Sequence, residues 1–168
     1  MSYEEDFIKD QQKYEYTQMI EKADNAVFAA VAATTATGAI PVPFADAPLL
    51  IAEQVSMMVA INGIFKIDVE KDALKSLVVA ALGVGGATVL GKTVATNLIK
   101  LIPGAGTIMG GAASAGTAGA ITLALGKAYI QVCKAIKMGE LDQSELTKKA
   151  GIERLKKEFK AQMAKKKK

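Results

Sequence analysis

Hydrophobic positions along this chain recur with helical spacing, and no stretch shows a convincing alternation of period two. Residues 3–37 read as one long helix or two in line: Phe7, Gln11, Tyr14 and Gln18 keep helical spacing, and an Ala-rich run over 26–33 follows. Gly38 is the expected stop, and Pro41 and Pro43 force an extended turn because neither can continue a helix. Asp46 is a good N-cap ahead of Ala47-Pro48, opening a helix to about residue 65 with Leu50, Ile51, Val55, Met58, Val59 and Ile61 on its apolar side. Asp68 is the expected cap of a shorter helix over about 69–82, which Gly83, Gly85 and Gly86 break. A helix over about 87–101, the turn Pro103-Gly104-Ala105-Gly106 and a long helix over about 107–138 complete the middle. Gly139 ends that helix, and Asp142-Gln143-Ser144-Glu145 has capping-box spacing. The last helix places Ile152, Leu155, Phe159 and Met163 on one face.

The fold class is therefore all-α: a single bundle of about six helices around two Ala/Gly-rich helix-turn-helix hairpins. Each hairpin carries an Ile-Pro turn, Ile40-Pro41 and Ile102-Pro103, and the two turns lie 62 residues apart, as a duplicated hairpin would place them. Three regions follow: an acidic amphipathic N-terminal helix over 1–24, the Ala/Gly-rich core over 25–139, and a basic helix with a Lys tail over 140–168.

Composition removes chemistries. Hydrophobic residues make up 51% of the 168, aromatics only 5%, and there is no His and no Trp. Without His, imidazole triads, His-ligated zinc and imidazole proton shuttles are excluded. One Cys, Cys133, excludes an internal disulfide and a Cys-cluster metal site, and fits a reducing compartment; its place in the long helix makes it a packing residue. No metal or cofactor is expected, and the chain reads as a non-enzyme.

Charge is unevenly placed. Residues 1–24 carry seven acids against three lysines, residues 25–126 carry five of each sign, and residues 127–168 carry thirteen bases against five acids. The chain ends in Lys165, Lys166, Lys167 and Lys168, the expected contact for an anionic membrane surface or an acidic partner. Nucleic acid is not an expected partner. Within one molecule, the acidic first helix is also placed to lie beside the basic last one.

Two stretches lack charge, residues 25–45 and 101–126, but Gly38, Pro41 and Pro43 interrupt the first. The second leaves residues 107–126 as a 20-residue candidate span, rich in Gly, Ala, Ser and Thr where insertion favours Leu, Ile and Phe. Its small-xxx-small pairs, Ala112 with Gly116 and Ala115 with Gly119, let a neighbouring backbone approach closely. A buried central helix of a bundle is the preferred reading, with an integral or pore-forming hairpin as the alternative. The strongly charged first 24 residues do not form a signal peptide.

Gly86-Ala87-Thr88-Val89-Leu90-Gly91-Lys92-Thr93 matches the phosphate-loop pattern, in which backbone N–H groups and Lys92 would hold phosphates and Thr93 would hold Mg²⁺. Its interior is bulky and apolar, no acid lies between Asp72 and Glu140 to complete a Mg²⁺ site, and no strands exist to build the usual sheet. As a helix, Leu90, Val94, Leu98 and Leu101 share a side and Lys92 is a solvated flank. Nucleotide binding through Gly86, Gly91, Lys92 and Thr93 is the lesser alternative.

The segment Ile40-Pro41-Val42-Pro43-Phe44-Ala45-Asp46-Ala47-Pro48-Leu49-Leu50, the run from Gln54 to Phe65, Leu101-Ile102-Pro103-Gly104-Ala105-Gly106 and Ala118 to Tyr129 together resemble the GTPase-associated helical family catalogued as domain of unknown function 697. That family includes the C-terminal part of the YcjF-type bacterial membrane proteins. The resemblance covers about residues 25–135, with Pro41, Pro43, Asp46, Pro103 and Gly104 as its structural signature. It implies a helical module serving a GTPase partner or a membrane, in the cytoplasm and peripheral to or inserted in the inner membrane. It brings no catalytic residues, and GTP binding itself does not carry over, because no GTPase domain is present. The expected function is thus a non-enzymatic interaction module, open to a homo-oligomer.

Overall fold

The computed structural model describes residues 2–38, 47–82 and 111–165. The expected signature residues Pro41, Pro43, Asp46, Pro103 and Gly104 lie outside them, as do the expected helix over 87–101, the phosphate-loop match with Gly86, Gly91, Lys92 and Thr93, and the last lysines, Lys166, Lys167 and Lys168.

Among the described residues there are five α-helices and no strand: α1 Tyr3–Gly38, α2 Ala47–Phe65, α3 Lys71–Ala81, α4 Gly111–Lys137 and α5 Lys149–Lys165. α1 is one unbroken helix, running straight through residue 24, where the acidic segment was expected to end. α4 is the centre. Leu125, Ala128, Tyr129, Val132 and Cys133 are fully buried on it, and α1, α2 and α5 pack around it. Asp24 pairs with Lys127 while the later Thr35 meets Gly119, so α1 and α4 run antiparallel. Gln54 meets Thr122 and Asn62 meets Tyr129, so α2 and α4 run parallel.

Close approach explains the small residues of α4. A Cβ at Gly126 would lie 2.6 Å and 2.7 Å from the two Val27 methyls of α1 and 2.9 Å from the Met57 sulfur of α2. Gly126 is therefore where three helices converge, and no other residue leaves the room. At Gly119 the added carbon would lie 2.7 Å from the Thr35 hydroxyl.

The helix ends show where local signals acted. α2 closes on Lys66 in the left-handed region (φ 56), and Ile67 N–H donates back to the Asn62 carbonyl at 2.9 Å. α4 closes the same way on Gly139 (φ 73), with Glu140 N–H donating to the Ala135 carbonyl at 2.8 Å. Two expected caps move. Glu70, in extended backbone, takes the N-cap position of α3 instead of Asp68, and no side chain caps it. The capping box does not start the last helix: Asp142 accepts from Ser144 N–H at 2.8 Å and caps the short 3₁₀ turn Gln143–Glu145. The reason is Leu146, which drops fully into the core and ends that turn before α5 begins at Lys149. Gly151 then lets the first turn of α5 sit against the Leu146 carbonyl, where a side chain would collide. The expected stripe of α5 is correct: Leu155, Phe159 and Met163 are buried and Ile152 is packed against the core.

Two glycines of similar helical position should respond oppositely to alanine. Gly126→Ala forces overlap at the three-helix junction and costs about 1–2 kcal/mol net of the helix propensity that Ala brings. Gly63→Ala meets nothing within 4 Å and stabilises by about 0.5–1 kcal/mol. Lys66→Gly relieves the left-handed backbone and stabilises by about 0.5–1 kcal/mol, less the extra freedom of the unfolded chain. Urea midpoints of the three variants check all three signs.

Candidate interaction surface

Among the described residues, the polar side chains buried where α2 meets α4 form pairs across the two helices. The Gln54 amide donates to the Thr122 hydroxyl at 2.8 Å, and the Tyr129 hydroxyl donates to the Asn62 Oδ1 at 2.7 Å, all four buried. Among the described residues, Gln54 Oε1 and Asn62 Nδ2 have no partner. These clasps repeat along both helices and set their register: sliding α2 by a turn would strand four buried polar groups. Cys133 lies one turn beyond Tyr129 on the same face. Burial pushes its thiol up to about 12, so it is a protonated packing residue. Burial, and next the Cys133 sulfur, raises the Tyr129 hydroxyl well above its ordinary range.

At the rim, Lys127 of α4 bonds Asp24 of α1 at 2.7 Å, and its ammonium stands 5.3 Å from the centre of the Phe28 ring. A shallow open groove of about 510 Å³ runs along this side of α1 between Tyr16 and Phe28. Neither the clasps nor this cluster was singled out from the sequence. The available signal was the lone polar residues, Gln54, Asn62 and Thr122, inside otherwise apolar helical faces.

The outer surface holds two unlike features. α5 buries Gly151, Leu155, Phe159 and Met163 and exposes Lys149, Lys156, Lys157, Lys160 and Lys165. Of the four tail lysines expected as a contact, Lys165 is described, exposed at the end of this face. The second feature is the start of α1. Residues 2–15 are all exposed, and α1 is not among the helices that pack extensively on α5. Its aromatic rings, Tyr3 (96% exposed), Phe7 (64%) and Tyr14 (64%), stand in water.

Among the described residues, no group of three His, Cys, Asp or Glu side chains is arranged to hold a metal. No helix of the described residues is long and apolar enough to cross a membrane. Of the candidate span, residues 119–126 of α4 are buried or half-buried within the bundle.

The family described as Domain of unknown function (DUF697) matches residues 4–157. The chain belongs to this family. The all-helical DUF697 domain is also 29% identical over 113 residues to the "Magnetosome membrane protein 22" of Magnetospirillum gryphiswaldense, an alignment covering 65% of this chain and 56% of that protein. The chain thus spans about half the length of the curated relative it matches. No solved structure matches the DUF697 chain.

The buried thiol gives a pH test. The unfolded chain releases the Cys133 proton near 9, whereas the folded chain holds it to about 12. Between those values the unfolded state binds fewer protons, so stability falls as pH rises, by about 1.4 kcal/mol per pH unit from this group. Cys133→Ala should flatten that slope, and the native thiol should resist a disulfide reagent at pH 8 until the protein is denatured.

Proposed function

We propose that this domain is a non-enzymatic interaction module that works peripherally at a membrane surface, with the basic face of α5 as its electrostatic contact. The observation that carries this reading is that face: five exposed lysines on a helix whose opposite side is anchored in the core. An anchored helix holds its charges in a fixed array, which attracts anionic headgroups more effectively than a frayed tail. The similarity to a protein named for a membrane supports the same direction. Peripheral attachment is favoured over insertion because the described helices spend their apolar faces on each other. The buried, protonated Cys133 and the packed amides offer no reacting group, which supports a binding role. A Ras-like GTPase, implied by the family resemblance, is the partner class to test alongside the membrane.

Flotation with vesicles containing about a third anionic lipid tests the surface reading. The chain should float at low salt, stay behind with neutral vesicles, and be released by about 0.5 M salt as screening shortens to a few ångströms. Absence from anionic vesicles at low salt would sink the proposal. Retention after alkaline carbonate washing would replace it with insertion.

A further inference from the structure

We infer that Lys156, Lys157 and Lys160 of α5 form a site for a lipid headgroup that ends in a phosphomonoester. The inference rests on the proposed membrane role and narrows it from anionic surfaces in general to one headgroup chemistry.

The bases of α5 and of the turn before it divide into two sets. Lys148 bonds Glu145 at 2.9 Å, Lys149 reaches Glu153 at 4.0 Å, and Arg154 lies 3.4 Å from Glu140 and 3.2 Å from Glu158. Each of these charges is answered within the molecule. Lys156, Lys157 and Lys160 are exposed, and among the described residues no carboxylate stands within ion-pairing distance of them. The two acids nearest in sequence are turned elsewhere, Glu153 back to Lys149 and Glu158 to Arg154.

Their spacing gathers the three ammoniums. Lys160 is the i+4 neighbour of Lys156 and the i+3 neighbour of Lys157, so both stand about 5–6 Å from it at Cβ. Ala161 and Ala164, the next exposed residues, are short and leave the cluster open to approach. Like charges at these spacings repel and weaken the helix. The helix dipole does not offset this, because its pull on cations is confined to the last turn and these three lie before it. A bound anion does.

Charge and geometry say which anion. The phosphodiester of an ordinary headgroup carries a single negative charge and two free oxygens. A terminal phosphomonoester carries roughly −1.5 to −2 near pH 7 and presents three strong acceptor oxygens. Ammoniums converging on Lys160 match those oxygens, and every hydrogen bond formed is charge-assisted. The same ammoniums favour the second ionisation, so the site raises the charge of the group it holds. Buried Leu155, Phe159 and Met163 fix the backbone beneath, which limits the ordering on binding to three lysine stems.

Flotation on two sets of phosphatidylcholine vesicles with matched surface potential tests the site. One set contains about a fifth phosphatidic acid, the other enough phosphatidylglycerol to give the same electrophoretic mobility. The native chain should partition at least about fivefold more strongly onto phosphatidic acid. K156Q/K157Q/K160Q should lose that preference and melt no lower than the native chain, since neutralisation removes repulsion. K156A/A150K keeps the net charge but moves one lysine to an exposed position away from Lys160. It should float on phosphatidylglycerol as the native chain does and show no preference. Equal partition of the native chain onto both sets overturns the site and leaves the surface reading standing, whereas absence from both overturns the two together. A preference that survives either variant places the selectivity elsewhere and overturns the site. So does release from phosphatidic acid by about 1 mM glycerol 3-phosphate, which assigns the ligand to solution and not to lipid.

Discussion

Everything in this bundle depends on how closely α1 and α2 can approach α4. At Gly126 the side chains of Val27 and Met57 reach the space that a Cβ would occupy. That contact brings two helices onto one turn of a third and allows Leu125, Ala128, Tyr129, Val132 and Cys133 to be sealed around it. Dispersion energy depends steeply on separation, so small residues that add little buried area of their own raise the value of every larger neighbour. A chain with so few aromatics can hold a core on these terms: many short contacts in place of a few large ones.

Close apolar packing alone leaves register weakly defined, because one Ala/Gly ridge resembles the next. The polar pairs supply the missing specification. Gln54 with Thr122 and Asn62 with Tyr129 lie two turns apart on both helices, and only one parallel alignment satisfies both. Asp24 with Lys127 does the same for α1, at the edge of the bundle where water still screens part of the charge. The long, uncharged run of the sequence is thus matched by protein on its described part. Its apolar surface is complementary to other helices, which is a different requirement from complementarity to lipid.

Helix existence and type were legible in the sequence because apolar spacing and Gly or Pro punctuation act locally. The stripe of Ile152, Leu155, Phe159 and Met163 and the stop at Gly139 needed no tertiary information. The failures are those of local signals overruled at a distance. Asp142 caps as its spacing says, but burial of Leu146 ends the turn it starts. Asp68 has the right residue type for a cap, yet α3 begins later, behind a Glu70 that caps nothing. Lys66 adopts a glycine conformation because the Ile67 side chain must reach the core, a demand that no local pattern announces. The surface was harder still. Opposite net charge at the two ends of the chain suggested contact within one molecule, whereas residues 2–15 are exposed and α1 does not pack extensively on α5.

That separation bears on where function resides. The described interior is closed: its thiol is held protonated, its clasps are made, and its central helix is surrounded. On the proposed reading, a bundle finished in this way acts through its outside. Two outer elements stand apart from an ordinary solvated surface: a helix that projects with three rings in water, and a helix that turns five lysines outward while its other side is locked in place. The first carries much of the chain's acidic excess and the second much of its basic excess, and the two helices do not pack extensively on each other. Rigidity is the cause, since an α1 broken at residue 24 could fold its acids back and neutralise α5. The unbroken helix leaves both surfaces exposed, and its packing against α4 is what sets where the two stand.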